Sequence, residues 1–200
     1  MEDFYASDSF NKNINASFIT LVPKCCGPSK LSNFIPISLL SNIYKILSKV
    51  LANRLKKVMS SIIGLYQFSF IKGRQILDCS LIANEIVDWL RKSNSSGLLF
   101  KVDFEKAFNS VSWVYLDFIM SLMGFNSKWR GWIHQCLSTA SISVLVNGSP
   151  TPQFTLKKGL RPGCPLSPFL FNIIAESLNI LCVKAISLGL IEGIQIGSCP

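Results

Sequence analysis

Asp103 is the residue of this chain best placed to do chemistry. It follows an apolar run, Leu98-Leu99-Phe100, through Lys101-Val102, and an aromatic, Phe108, comes shortly after it. The run reads as a strand, and a carboxylate at the end of a buried strand is costly unless it meets a cation. Mg²⁺ takes such oxygens, usually one or two carboxylates together with substrate phosphates. That points to phosphoryl or nucleotidyl transfer. The alternative is a strand-end Asp that caps the following helix. A second segment, Lys157-Lys-Gly-Leu-Arg-Pro-Gly-Cys-Pro-Leu-Ser-Pro-Phe-Leu-Phe-Asn172, is a glycine- and proline-rich loop entering an apolar helix. Gly159 and Gly163 allow close backbone approach there, and Arg161 could contact a template or a nucleotide. Lys72 and Arg74 flank Gly73 in a basic turn. They could pair with phosphates, Arg in bidentate fashion, or belong to a solvated turn.

These two segments together resemble the reverse transcriptase domain of LINE-type non-LTR retrotransposons, especially the plant lineage. In that family the first reads roughly K-V-D-F-E-K-A-Y-D-S-V-x-W and the second G-L-R-Q-G-D-P-L-S-P-x-L-F. Phe34-Ile-Pro-Ile-Ser-Leu39 resembles the family's F-R-P-I-S-L. The stretches Tyr44–Leu55, Phe70–Ile76 and Ser143–Pro150 also fit, in order, from about Phe18 to the last residue.

The resemblance implies an α/β (α+β) right-hand polymerase, incomplete, with fingers and a partial palm and with helices packed on a small antiparallel sheet. Residues 1–17 would be a frayed lead-in, 18–96 the fingers-like part and 97–200 the partial palm. Asp103 would be the first metal-binding aspartate, helping to hold Mg²⁺ with the backbone carbonyl of Phe104. Phe108 would lie under the incoming sugar and select deoxynucleotides; its alternative is an ordinary core Phe. The implied partners are an RNA template, an RNA–DNA duplex and deoxynucleoside triphosphates, with no membrane, in the nucleus or cytoplasm.

The departures carry as much weight as the matches. Ile35 stands where the family has Arg, Pro162 where it has Gln, and Cys164 where it has Asp; Phe108 and Asn109 replace Tyr and Asp. The family's Y/F-A-D-D segment does not occur, and after Asp117 only Glu176 and Glu192 are acidic. Two-metal catalysis needs paired carboxylates. The expectation is therefore a domain truncated before that motif, lacking thumb and inactive as it stands. A non-catalytic nucleic-acid-binding remnant and a non-functional product of a degenerate element are the alternatives.

Composition agrees with a polyanionic partner. Among 200 residues the net charge is +9, yet only 16% are charged while 49% are hydrophobic. A chain with so few charges has much surface to cover. Seven cysteines and one histidine, without a C-x-x-C pair, argue against a zinc site or a disulfide framework and for reduced thiols. No apolar run reads as a membrane span, since Asn172, Glu176 and Asn179 interrupt the last helix. Trp113, Trp129 and Trp132 read as packing residues and His134 as structural.

The elements that must position these groups follow from periodicity and punctuation. Phe18–Val22 reads as a strand. From Asn42 to about Ile63 the apolar residues Ile43, Ile46, Leu47, Val50, Leu51, Leu55 and Val58 follow helical spacing, and Lys45, Lys49, Arg54, Lys56 and Lys57 supply much of the polar surface. Gln67–Ile71 is an extended piece and Ile76–Arg91 a helix with Leu77, Leu81, Ile82, Ile86, Val87 and Leu90 inward. Helices follow at Trp113–Met123 and Ser127–Leu137, the second capped by Asn126. Ile142–Val146, the Asn147-Gly148 turn and Phe154–Leu156 form a hairpin. A long helix runs from Pro165 to about Leu188, and Gly193–Gly197 reads as a final strand.

Overall fold

The computed structural model describes Phe4 and residues 12–194. Strand β1 (Ala16–Pro23) pairs antiparallel with β2 (Phe34–Leu40), Phe18 opposite Leu39 and Leu21 opposite Pro36. β2 lies at the edge of the sheet, where Pro36 removes no ladder bond that matters. On its other side β1 pairs with β3 (Ser141–Val146), and this pairing is parallel, Ser17 opposite Ile142. Asn147 and Gly148 both have positive φ, 50° and 81°, as a tight hairpin turn requires. The chain then returns along β3 as β4 (Ser149–Pro150) and β5 (Phe154–Thr155). The sheet is thus mixed rather than purely antiparallel. A chain that leaves β1, makes helices and comes back to β3 can approach it in the parallel sense.

Among the described residues, five longer helices accompany this sheet. Helix α1 (Asn42–Ile62) starts at Ser41, whose hydroxyl accepts the Tyr44 N–H at 3.2 Å and donates to the Ile14 carbonyl at 2.6 Å. Its buried side is Tyr44, Leu47, Ser48, Leu51, Ala52, Leu55 and Met59. That set follows i, i+3, i+4, i+7 spacing, but it is rotated from the expected face. Ile43, Ile46 and Val58 are exposed. The small or polar members Ser48 and Ala52 let α1 approach its neighbours closely, and an apolar count alone misses them.

Helix α2 (Ile76–Lys92) forms where the spacing places it, yet none of its residues is buried. Leu77, Leu81 and Ile82, expected inward, face out. A short helix α3 (Ala107–Ser110) precedes α4 (Trp113–Leu122) and α5 (Ser127–Ser138). Asn126 caps α5 as expected, its side-chain oxygen accepting the Trp129 N–H at 2.8 Å. Asp117 of α4 meets Arg130 of α5 at 3.5 Å. The long helix α6 (Ser167–Ser187) completes the set. The core lies between α1, α4, α5 and α6, built on Leu51, Leu55, Met59, Leu116, Met120, Ile133, Leu170 and Ile173.

Two expected extended segments are not strands. Gln67–Ile71 is a series of turns. Leu98–Phe104 is irregular and open to solvent, Leu98 at 88% and Phe100 at 82% exposed. A strand exists only through ladder bonds to a neighbour, and among the described residues none pairs with this segment. Most of the Gly193–Gly197 reading lies outside the described residues.

By length and composition α6 is long and apolar enough to cross a membrane, with a mean hydropathy of 1.7 over its best window. The sequence reading set that aside because of Asn172, Glu176 and Asn179. These residues sit at i, i+4 and i+7, on one face, and that face meets the turn after α1. The Glu176 carboxylate accepts the Gly64 N–H at 3.0 Å and the Asn179 amide at 2.8 Å. The Asn172 amide donates to the Ser69 carbonyl at 2.7 Å. A Cβ on Gly64 would come within 2.5 Å of the Asn179 amide, so a side chain there would have to displace it. The polar stripe faces protein, while most of the rest of the apolar window is half-buried or exposed, only 22% of it being buried.

Buried acceptors that lose their donors cost about 1–3 kcal/mol. Asn172→Ala should therefore lower the unfolding free energy by about that amount in urea titration. Leu181→Ser, at an exposed position of the same helix, should change it by less than about 0.5 kcal/mol. Equal losses would mean that the stripe contributes nothing special.

Candidate functional site

The two chemistry-bearing segments meet through backbone hydrogen bonds. Lys106 adopts a left-handed conformation, φ 52°, and turns the chain into α3. The Gly159 N–H then donates to the Val111 carbonyl at 2.8 Å and the Leu160 N–H to the Phe108 carbonyl at 2.7 Å. The Trp113 indole N–H donates to the Gly159 carbonyl, also at 2.8 Å. Gly159 has φ +89°, and a Cβ on it would stand 2.9 Å from the Asn109 carbonyl oxygen. Only glycine lets the two backbones approach this closely.

A cleft opens beside this seam, on the face of β1 and β2. One lobe, about 340 Å³, lies against Lys157, Lys158, Gly159 and Pro162. The other, about 720 Å³, lies against Lys24, Ile35, Glu105 and Lys106. Ile19, Pro36 and Asn109 line both lobes. The lysines make the rim basic, and the one acid on it, Glu105, is held by Lys106 at 3.3 Å. Ile35 leaves the larger lobe without the cation that the resembling motif carries.

The sequence-derived residues divide between this cleft and other places. Asp103 and Phe104 are exposed, in the irregular segment just before Glu105 and Lys106. Phe108 is half-buried and lines neither lobe. Its ring stacks on Phe171 of α6, centroids 5.0 Å apart and planes at 23°, against the core. Gly163 is exposed with φ +78° and faces the Ser38 carbonyl. Arg74 reaches the carbonyls of Gly64, of Gln67 at 2.7 Å and of Ile63 at 3.3 Å, and so closes the end of α1. Lys72 is exposed beside it. Both line a different cleft.

Arg161 faces inward. It is 5% exposed, and its guanidinium donates to the Asn15 side-chain oxygen, to the Asn15 carbonyl at 3.3 Å and to the Cys136 carbonyl at 3.3 Å. Its charge lies over the Tyr44 ring at 4.2 Å. The Ser167 hydroxyl donates to the Arg161 carbonyl at 2.9 Å, and Asn15 donates to the Cys136 carbonyl at 3.0 Å and to the Thr139 hydroxyl at 2.8 Å. The cation thus ties loop, lead-in, α1 and α5 together, and the residue that carries it also lines the smaller lobe of the cleft. Cys164 shares the enclosure, its sulfur 3.8 Å from the Tyr44 hydroxyl. A carboxylate at that position would meet the enclosed cation. Sequence reasoning missed Asn15 and Tyr44; their partners lie far along the chain, and no local signal marks them.

The family implied by the resemblance works with divalent metal ions, and the donors present decide whether such a site is complete here. Asp103 offers one carboxylate, and Glu105 is already paired with Lys106. Among the described residues no group of three or more His, Cys, Asp or Glu side chains converges. One carboxylate and a neighbouring carbonyl do not fit a pair of Mg²⁺ ions. No catalytic step through metal follows from these residues alone.

Burial pushes the Cys136 thiol up from 9.0 to about 12, with the neighbouring Cys164 adding to the rise, and burial also raises Tyr44 well above its ordinary value. Both groups stay neutral in the folded chain at pH values where the unfolded chain ionises them. Their contribution to stability is intact below pH 9 and is lost as pH climbs toward about 12. Urea titrations between those values should show falling stability, with a shallower fall in Cys136→Ala. In native protein at pH 8 a thiol reagent should label the exposed Cys25, Cys26, Cys79 and Cys182 and spare Cys136 and Cys164. Labelling of Cys136 as fast as of the exposed thiols, read by mass spectrometry, would contradict the enclosure.

Comparison with known proteins gives the family of the chain. Residues 24–191 match the family model described as reverse transcriptase (RNA-dependent DNA polymerase). The chain is 31% identical to the transposon TX1 uncharacterized 149 kDa protein of Xenopus laevis, over 84% of this chain and 13% of that protein. It is 28% identical to a retrovirus-related Pol polyprotein from the type-1 retrotransposable element R2 of Popillia japonica, over 80% of this chain and 22% of the polyprotein. A third relative, the Pol polyprotein from the type-2 element R2DM of Drosophila melanogaster, is 24% identical over 83% of the chain. The chain spans less than a quarter of the length of the first two. The chain belongs to the reverse transcriptase (RNA-dependent DNA polymerase) family, with non-LTR retrotransposon polyproteins among its relatives.

Proposed function

We propose that this chain supplies the fingers, to about residue 96, and part of the palm, from about residue 97, of a domain for RNA-templated DNA synthesis. The observation that carries this reading is the seam between Phe108–Trp113 and Gly159–Leu160, because it brings together the two segments that the family resemblance makes functional. The basic rim of Lys24, Lys106, Lys157 and Lys158 suits the phosphates of a deoxynucleoside triphosphate and of an RNA–DNA duplex. In this reading Asp103 and the Phe104 carbonyl offer oxygens to Mg²⁺. Phe108, braced by Phe171, would stand under the sugar.

The same reading holds the chain inactive by itself. Asp103 is one carboxylate, and the others that two ions need would have to come from outside these 200 residues. A second reading, a nucleic-acid-binding module without chemistry, is favoured by the net charge of +9 and by a helix α1 with no acidic residue. In that case RNA binding would weaken with salt and nothing would be incorporated.

Primer extension decides between chemistry and its absence. On an RNA template with Mg²⁺, the purified chain should add no nucleotide, and Asp103→Asn should behave the same. Robust incorporation that disappears in Asp103→Asn would overturn the inactive reading.

A further inference from the structure

Cys25 and Cys26 are consecutive, exposed and free, on the loop that joins β1 to β2. β1 ends at Pro23 and the chain bends through residues 24–27. The alternation that sends neighbouring side chains of a strand to opposite faces therefore stops before the pair. At the neck of the loop the Lys24 N–H donates to the Asn33 carbonyl at 2.7 Å, and the Asn33 N–H donates to the Lys30 carbonyl at 2.9 Å. Gly27, next to the pair, has φ +64°, and a Cβ on it would meet nothing within 4 Å. The loop is thus held at its base and open at its tip. Exposed Lys24 and Lys30 flank the pair. Lys24, Leu31 and Ser32 bring the loop to the larger lobe of the cleft.

Two adjacent thiols have a restricted chemistry. Across a trans peptide their Cα atoms stand about 3.8 Å apart, closer than the about 4.4–6.8 Å of a relaxed disulfide. A sulfur–sulfur bond within the pair is therefore strained and easily reduced. A metal ion between the sulfurs relieves that constraint, because it lets them stand up to about 4.5 Å apart, twice a metal–thiolate bond. The donor count selects the ion. Zn²⁺ takes four ligands, and among the described residues no group of three or more His, Cys, Asp or Glu side chains converges. Mg²⁺ and Ca²⁺ want oxygen. Cu(I) is soft, prefers thiolates and forms two-coordinate complexes with them. Two thiolates and one Cu(I) carry a single net negative charge, which the ammonium groups of Lys24 and Lys30 offset.

We propose that Cys25 and Cys26 bind one Cu(I) ion as a two-coordinate dithiolate beside the cleft. Each thiol gives up its proton as its sulfur bonds to the metal, so two protons leave per ion and the copper stays Cu(I) throughout. The site uses neither of the two motif segments and stands whether or not the polymerase reading does.

Anaerobic titration of the reduced 200-residue chain with Cu(I), against a bicinchoninate chromophore as competitor, tests it. Wild type should withdraw one ion per chain and release two protons, read with a pH indicator. Cys25→Ser and Cys26→Ser are exposed loop changes that should leave the circular dichroism spectrum unaltered. Each should weaken binding about a hundredfold or more, since one of two ligands is gone. Cys79→Ser combined with Cys182→Ser, at the exposed cysteines of α2 and α6, should leave the affinity unchanged. Wild-type affinity in Cys25→Ser or in Cys26→Ser would overturn the site. Loss of binding in the Cys79→Ser, Cys182→Ser double variant would also overturn it, as would a copper-bridged dimer in light scattering. Zn²⁺ competing on equal terms would overturn the choice of ion.

Discussion

A buried cation without a carboxylate partner among the described residues sets the terms for the rest of this molecule. Arg161 cannot give up its charge, and removing it from water is tolerable only if carbonyls and a ring face replace the water. Asn15, the Cys136 carbonyl and the face of Tyr44 do so. Each of these groups belongs to a different element, so satisfying one guanidinium fixes the entry to β1, the start of α1, the end of α5 and the glycine loop relative to one another. Once the loop is fixed, Gly159 and Leu160 can reach Phe108 and Val111. The cleft on the sheet face follows from that seam.

The same logic explains why the molecule is both greasy and specific. Its apolar residues exceed what its core takes in: Leu98, Phe100, Val114, Leu181 and Leu190 are all exposed. Apolar contact is non-directional and would accept many packings. Buried polar groups are directional, and leaving one unpaired is costly. Arg161 at one end of the core, and Asn172 with Glu176 at the other, therefore select the arrangement that the apolar surface alone does not.

Much of this was legible in the sequence, and the exceptions have physical causes. Helices α1, α2, α4, α5 and α6, strand β1 and the Asn147-Gly148 hairpin were readable because capping, spacing and turn residues are local signals. The seam itself was not legible, because it joins segments far apart along the chain through backbone hydrogen bonds that no residue pattern marks. Strand β2 went unread because Pro36 and short alternation make a weak pattern. Leu98–Phe104 carries a strand-like composition but no ladder partner, and composition cannot supply one. Arg161 reads as a surface cation because its loop is polar; its enclosure depends on Asn15, a contact across 146 positions. The α1 face was misjudged because Ser48 and Ala52 are buried for their small size rather than their hydrophobicity.

The account stands on the claim that Arg161 and Asn15 act as one unit. A double-mutant cycle of Arg161→Met and Asn15→Ala, read as unfolding free energy in urea, measures that directly. Loss of either partner leaves the other buried and unsatisfied, so each single change should cost about 2–4 kcal/mol and the pair much less than the sum, a coupling above about 1 kcal/mol. Additive losses within about 0.5 kcal/mol would contradict it, and would mean that the loop is held by its apolar contacts alone.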